Sequence, residues 1–199
     1  MYSSYNGTIP AYTYPSRVTG IKLTGRTASS LTLSWDKNAS ADGYLIELYQ
    51  SGKWVNVTKI TNKATTSYRV SGVNAGTAYL FRIRAYVKTG NSTLSSSYTN
   101  TIAARTLPSA VTGIKITART STSLTIGWDK NASAGGYIVE QYKNGEWVSI
   151  AKLSKATTTC RVPGLKAVAT YKFRIKAYTM SGITALYSGY KTISGITKG

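Results

Sequence analysis

The sequence contains no histidine and only six acidic residues among its 199. The lack of histidine removes the commonest general base, Ser-His-Asp triads and most zinc sites. A glycosidase needs two carboxylates that face one bond, whereas four of the acids here recur at matching positions: Asp36 and Asp129 follow a tryptophan, and Glu47 and Glu140 follow a Gly-Tyr pair. We therefore predict that the chain is not an enzyme and has no catalytic residue, no cofactor and no metal site.

Cysteine and long apolar runs are also scarce. Cys160 is the one cysteine, which excludes an intramolecular disulfide and multi-cysteine metal sites. No stretch approaches the ~20 apolar residues that cross a bilayer, so we expect no membrane insertion. Residues 1–14 lack a basic region followed by an apolar run, and we expect a linker or tail there rather than a signal peptide.

Basic residues, in contrast, are abundant. Lysine and arginine number 25, which gives a net charge of +19. This excess favours polyanionic partners such as acidic glycans, teichoic acid, nucleic acid or anionic lipid, while the alternative is a soluble module with basic solvated faces. Because the charge is spread over both halves without a reading helix, we expect no specific nucleic-acid partner.

An internal repeat organises the chain. The segment VTGIKLTGRTASSLTLSWDKNASADGYLIE returns as VTGIKITARTSTSLTIGWDKNASAGGYIVE, 93 residues later. A unit of this length can fold by itself, so we predict a tail (1–14) and two domains (15–106 and 107–199). The linker is short and contains Pro108, which predicts domains that lie end to end with limited swing. We expect the chain to be monomeric.

Within each unit the apolar period is two, as in Leu31, Leu33 and Trp35, and turn residues separate the runs. This pattern predicts an all-β fold of two tandem seven-stranded antiparallel β-sandwiches. The strands of the first unit are expected near 17–24, 30–36, 43–50, 53–60, 66–71, 77–87 and 93–104, and four tyrosines are expected to point outward: Tyr49, Tyr86, Tyr142 and Tyr178.

Several motifs carry a family resemblance. Pro-x-x-Val, Leu-Thr-Leu-Ser-Trp, Gly-Tyr-x-Ile and Tyr-x-Phe-Arg-Ile-x-Ala together resemble a fibronectin type III domain, twice over. The Gly-Lys/Glu-Trp-Val strand and the Lys-Ala-Thr-Thr run resemble the type III repeats of secreted bacterial, Firmicutes-like proteins. The resemblance implies an immunoglobulin-like sandwich with Trp35 and Trp128 packed centrally. It also implies that Tyr79 and Tyr171 are tyrosine corners, whose hydroxyl groups bind the backbone of the preceding loop. Cys160 aligns with Tyr68, and we expect a packed, unreactive thiol.

One strand in each unit carries outward cations that could form a shallow strip for anionic polymers. The candidate polymer-binding residues on it are Arg82, Arg84, Lys172, Arg174 and Lys176. The alternative is a salt-bridged exposed face, in which Glu47 or Glu140 pairs with one arginine across the sheet.

Two tryptophans lie at predicted sheet edges. Trp54 and Trp147 could stack on sugar rings or bases. In domains of this kind, however, the edge tryptophan usually covers one end of the core, and that role is the expected one.

Two functions remain open from the sequence. The first is a non-catalytic spacer or scaffold in a larger secreted or wall-associated bacterial protein, whose partners are the flanking domains. The alternative is an adhesin-like binding module for anionic or carbohydrate polymers, such as cell-wall or mucosal glycans.

Overall fold

The computed structural model describes residues 12–199 as strands and turns, and that part of the chain has no helix. Accordingly, the described residues form no helix that is long and apolar enough to cross a membrane. Residues 1–11 of the predicted tail lie outside the described part.

The first unit contains two antiparallel sheets. Its smaller sheet has the order β1–β2–β5, and its larger sheet has the order β4–β3–β6, with β7 and β8 both paired to β6. The strands are β1 (Lys22–Arg26), β2 (Ser30–Ser34), β3 (Gly43–Gln50), β4 (Lys53–Ile60), β5 (Ser67–Ser71), β6 (Ala78–Thr89), β7 (Ser92–Ser95) and β8 (Ile102–Arg105).

The second unit has the same connectivity. Its smaller sheet has the order β9–β10–β13, and its larger sheet has the order β12–β11–β14, with β15 and β16 both paired to β14. The strands are β9 (Lys115–Arg119), β10 (Ser123–Gly127), β11 (Gly136–Lys143), β12 (Glu146–Ser154), β13 (Thr159–Pro163), β14 (Thr170–Ser181), β15 (Thr184–Tyr187) and β16 (Lys191–Ile196). The predicted all-β fold of tandem sandwiches is confirmed.

The strand predicted over 93–104 is interrupted and forms β7 and β8 instead. Between these strands, hydroxyl groups replace carbonyl groups as acceptors for β6. The backbone N–H of Ala85 donates to Ser96 Oγ at 3.0 Å, and that of Ile83 donates to Thr99 Oγ1 at 3.0 Å. Both hydroxyl residues donate their own N–H to the β6 carbonyls. The segment therefore stays beside β6 without a regular ladder, because its side chains satisfy the β6 amides.

The core of each unit is built around a tryptophan and a tyrosine. Trp35 is 4% exposed, and its ring meets the fully buried Tyr44 edge to face, with 5.3 Å between ring centroids. Trp128 and Tyr137 repeat this contact at 5.3 Å. The hydroxyl group of Tyr44 accepts the backbone N–H of Asn38 at 3.0 Å, so the polar end of this buried ring is satisfied. Both tryptophans thus lie inside their sandwich, where the resemblance places them.

The prediction that Tyr86 is exposed was wrong, because this residue is fully buried. Tyr86 is paired with Gly43 across β3 and β6, and a Cβ atom built on that glycine would lie 2.8 Å from the ring. The ring therefore covers the bare backbone of Gly43. Its hydroxyl group donates to the carbonyl of Ile60 at 3.2 Å, and the ammonium group of Lys59 lies 4.7 Å from the ring centroid. Burial, with the charge of Asp42, raises the pKa of Tyr86.

Candidate functional site

The outward cations of β6 lie beside a carboxylate on β3. The strand register places Glu47 opposite Arg82, and Arg82 donates through Nε and a terminal nitrogen to Glu47 Oε2 at 2.7 and 2.6 Å. Charge-assisted hydrogen bonds of this length are among the stronger ones in proteins. The cross-strand pair expected from the sequence is therefore present in the first unit.

Two aromatic rings enclose the same guanidinium group. The Arg82 Cζ atom lies 4.3 Å from the ring centroid of Trp54 and 3.6 Å from that of Tyr98. The Tyr98 hydroxyl group also donates to Glu47 Oε1 at 2.6 Å. We call Glu47, Trp54, Arg82 and Tyr98 the Arg82 cluster. Its cation is held by a carboxylate and two ring faces, which is both an ion pair and a cation–π arrangement.

The electrostatics of the Arg82 cluster follow from these contacts. Partial burial alone would raise the pKa of the Glu47 carboxyl group. The hydrogen bonds from Tyr98 and Arg82, together with the charges of Arg82 and Arg84, outweigh burial and lower the pKa below its ordinary value. Burial and the hydrogen bond to Glu47 raise the pKa of Tyr98. The pair is thus held as a carboxylate and a neutral phenol.

The second unit repeats the arrangement as the Arg174 cluster, which comprises Glu140, Trp147, Arg174 and Tyr190. The Arg174 Cζ atom lies 4.5 Å from the Trp147 centroid and 3.9 Å from the Tyr190 centroid. Arg174 Nε donates to Glu140 at 2.6 Å, and the Tyr190 hydroxyl group donates to the other carboxylate oxygen at 2.8 Å. Every contact of the Arg82 cluster has a counterpart here.

The remaining candidate cations differ in their surroundings. Arg84 lies 4.7 Å from the Tyr98 ring, and its buried Nε has no hydrogen-bond partner among the described residues. Lys176 donates to the Tyr190 hydroxyl group at 2.6 Å and also lies 4.4 Å from the Tyr187 ring. Lys172 is exposed. Of the five cations predicted to form a strip, three are therefore engaged by polar partners.

The edge tryptophans do not have the expected role. Trp147 is absent from the core of the second unit and from the side chains packed against it. It stacks instead on Arg174 and on Tyr142, whose ring centroid is 5.2 Å away. Trp54 makes the same contacts with Arg82 and Tyr49. Both tryptophans thus lie on the outer face of the larger sheet, where Tyr49 and Tyr142 are exposed.

Sequence reasoning missed Tyr98 and Tyr190. Tyr187 and Tyr190 are three residues apart, so a regular strand would place them on opposite faces. Both nevertheless contact Lys176, because the chain leaves the regular ladder between β15 and β16. The signal that could have found them is the repeat itself, since Ser-Ser-Tyr at 96–98 and Ser-Gly-Tyr at 188–190 are equivalent.

The predicted tyrosine corners lie on β6 and β14. The hydroxyl group of Tyr171 accepts the backbone N–H of Lys166, five residues earlier, at 2.7 Å. The ring of Tyr79 lies 6.3 Å from that of Phe81. Cys160 is half-buried and packs against the core of the second unit, and burial raises the pKa of its thiol. A protonated thiol is a poor nucleophile.

The acidic residues outside the two clusters do not group together. Asp36 accepts the Thr19 hydroxyl group at 2.9 Å, and Asp42 accepts the backbone N–H of Lys88 at 2.8 Å. Among the described residues, no group of three or more histidine, cysteine, aspartate or glutamate side chains could hold a metal ion.

The two sandwiches define the class of the protein as tandem immunoglobulin-like modules. The fibronectin type III domain model matches residues 16–101 and 109–189, so the chain belongs to the fibronectin type III family, as its motifs predicted. Domains of this family are generally non-catalytic modules.

Relatives from two bacteria share both units. The chain is 32% identical to chitinase A1 of Niallia circulans over 184 residues, which is 88% of this chain and 25% of that protein. It is 29% identical to exoglucanase B of Cellulomonas fimi, over 88% of this chain and 16% of that protein. The chain therefore spans a quarter or less of these relatives. A two-domain fibronectin type III segment of chicken tenascin, 24% identical, shares the fold with a TM-score of 0.57 over 92% of this chain and 99% of that one.

Proposed function

We propose that the chain is a pair of non-catalytic modules that space the other domains of a larger extracellular bacterial protein. One observation carries this proposal: the groups best suited to grip a polymer are already engaged with each other. The guanidinium groups of Arg82 and Arg174 are each enclosed by a carboxylate and two rings. A ligand would have to displace these contacts before it could use the same groups.

The relatives support the same proposal. Chitinase A1 and exoglucanase B are longer than this chain, which corresponds to a quarter or less of each. A family that is generally non-catalytic fits an accessory role beside other domains. The proposed partners of the chain are thus the domains that flank it in its parent protein.

A polymer pull-down tests the spacer proposal. The chain is mixed with insoluble chitin, cellulose, starch, cell wall and mucin at about 20 and about 300 mM salt, a range over which multi-contact ionic binding collapses. We expect weak retention on acidic polymers at the lower salt and none at the higher. Retention on one polymer at both salts would contradict a pure spacer role.

Solution scattering adds a test that does not depend on any ligand. A spacer must keep its two ends apart, and a short linker with Pro108 should restrict its swing. We expect a profile with a maximum dimension well above that of a single module, unchanged by salt. A profile that fits two freely tumbling modules would contradict the proposal.

A binding role is the second candidate, and the outer face of the second unit favours it. Tyr142, Tyr187 and Tyr190 are 43, 42 and 37% exposed on that face, and exposed rings can stack on sugars. Substitution of Tyr142 and Tyr187 by alanine should abolish any salt-insensitive retention. The matched control, Tyr12 and Tyr14 to alanine, removes two exposed tyrosines elsewhere and should leave it unchanged.

A further inference from the structure

A cleft of about 850 Å³ opens to solvent on one side of the second unit. It lies between β12, an edge strand of the larger sheet, and β13, an edge strand of the smaller one. The two sheets of a sandwich share no hydrogen bonds at such a side, so side chains alone must close it. The volume lies within the range of small-molecule sites, roughly 300–1,000 Å³.

Two positions at which the units differ in sequence lie at this cleft. Cys160 stands where the first unit has Tyr68, and Gln141 stands where it has Leu48. Both line the cleft. Cys160 is paired with Ile126 and packs against the core, so a side chain much smaller than tyrosine occupies the gap between the sheets. Relative to the first unit, the wall formed by the smaller sheet therefore lacks a ring, and the wall formed by the larger sheet carries an amide.

Gln141 carries a polar group without a partner. The residue is 2% exposed, and its side-chain oxygen has no hydrogen bond with any described residue. Leaving a buried acceptor unsatisfied costs about 1–3 kcal/mol, and such groups in folded proteins call for a specific explanation. A ligand that donates an N–H or O–H to this oxygen would recover the cost.

The rim of the cleft is cationic. The cleft is lined by three exposed cations, Lys143, Arg161 and Lys166, and by no acidic side chain. Neither ion pair of the described residues involves them. The first unit has Gln50 and Asn74 at the positions of the two lysines, so two of the three cations belong to the second unit alone. Three unpaired cations around one opening favour an anionic ligand.

We propose that the second unit binds a small aryl monoanion in this cleft. The aryl ring lies between the sheets against Ile150, Leu153 and Leu165, and an N–H or O–H on it donates to Gln141 Oε1. The anionic group, a carboxylate or sulfonate, remains at the rim among the three cations. A flat ring suits the gap because packed sheets lie about 10 Å apart. This site is separate from the Arg174 cluster, and the proposal does not depend on the spacer role.

The fluorescent probe 8-anilinonaphthalene-1-sulfonate tests the site, because it combines an aryl body, a bridging N–H and one sulfonate group. Titration of the whole chain at low salt should show one saturable site. Cys160→Tyr, which restores the ring of the first unit, should weaken binding at least tenfold. Gln141→Leu should weaken it about tenfold, which corresponds to about 1.4 kcal/mol. Saturable binding that is unchanged in both variants, or no saturable binding, would overturn the proposal.

Two double substitutions distinguish the effect of the rim cations on binding from the effect of the net positive charge. Lys143→Gln with Lys166→Asn gives the cleft the residues of the first unit and should weaken binding and its salt dependence. The matched control, Lys37→Gln with Lys53→Gln, removes two exposed lysines that do not line the cleft. An equal loss in both variants would show that the probe follows net charge, and the proposed site would be wrong.

The single thiol provides a readout that needs no substitution in the cleft. Because Cys160 lines the cleft and is the one cysteine in the chain, its reaction with a maleimide reports occupancy. Burial raises the pKa of the thiol, so the reaction is followed at mildly alkaline pH. Saturating probe should slow the maleimide reaction several-fold. The probe concentration at half of this effect should equal the midpoint of the fluorescence titration. An unchanged rate at saturation would overturn the proposal.

Discussion

The two units share a four-residue cluster on the outer face of the larger sheet and differ at the open side of the sandwich. The Arg82 and Arg174 clusters have the same four residue types and the same contacts. At the open side, Tyr68 and Leu48 of the first unit are replaced by Cys160 and Gln141. The two units thus share this polar network, and one of their differences lies at a gap between sheets.

Physical coupling explains where the units differ. In each cluster the carboxylate, the arginine and the tyrosine all contact one another, so loss of one leaves a partly buried charge or hydroxyl group without its partner. A residue at the open side instead meets solvent along one edge, and a smaller side chain there leaves a cleft that water can enter. Changes are therefore tolerated more easily at the open side than in the clusters.

The largest expected effect concerns the cores. Trp35→Ala and Trp128→Ala should each lower the free energy of unfolding of their own unit by about 3–5 kcal/mol, because a buried aromatic ring leaves a cavity. Amide hydrogen exchange measured by NMR reports on each unit separately. Tryptophan to phenylalanine at the same positions is the control, and it should cost less. Equal loss of protection in both units from one substitution would contradict independent cores.

Removal of the cluster carboxylates should have the next largest effect. Glu47→Gln and Glu140→Gln each remove the negative charge beside a half-buried arginine and replace one of the two acceptor oxygens with an NH2 donor, and about 1.5–3 kcal/mol should be lost. Urea denaturation measures the loss. Glu146→Gln is the matched control, since Glu146 is exposed and forms no ion pair with a described residue. A loss confined to one cluster would show that the two are not energetically equivalent.

The carboxylate of the Arg82 cluster should also make stability depend on pH. The pKa of Glu47 in the folded chain lies below its ordinary value, so its contribution is fully present above the unfolded pKa of about 4.3 and is lost as pH falls through the folded pKa. The stability difference between the parent chain and Glu47→Gln should therefore shrink in acid. Urea denaturation from pH 7 to pH 2 checks this, and a difference that grows in acid would contradict it.

The fold could be predicted from the sequence, but the tyrosine of each cluster could not. Alternation in Leu31, Leu33 and Trp35 marks a strand with one buried face, and the 93-residue repeat marks the unit. The arginine and the carboxylate of each cluster were also expected. Tyr98 was not predicted, because the alternation of inward and outward side chains fails where Ser96 and Thr99 bind β6 through their side chains. A local pattern reports strand faces but not such an interruption.

The cleft could not be predicted from the sequence for another reason. Gln141 and Cys160 lie on strands of different sheets, and no short-range pattern relates them. The exposure predicted for Tyr86 failed similarly, because its burial depends on Gly43 in a neighbouring strand. Features that depend on contacts between distant strands require the folded structure.

The smallest expected effect compares the tyrosines of the two clusters. Tyr98→Phe removes the hydroxyl group that donates to Glu47 but leaves the ring over Arg82. It should cost about 0.5–1.5 kcal/mol in urea denaturation, the usual net value of one hydrogen bond. Tyr190→Phe should cost more, because its hydroxyl group binds both Glu140 and Lys176. Tyr14→Phe, at an exposed ring, should cost nothing measurable. A larger loss in Tyr98→Phe than in Tyr190→Phe would mean that the second partner contributes no stability to the cluster.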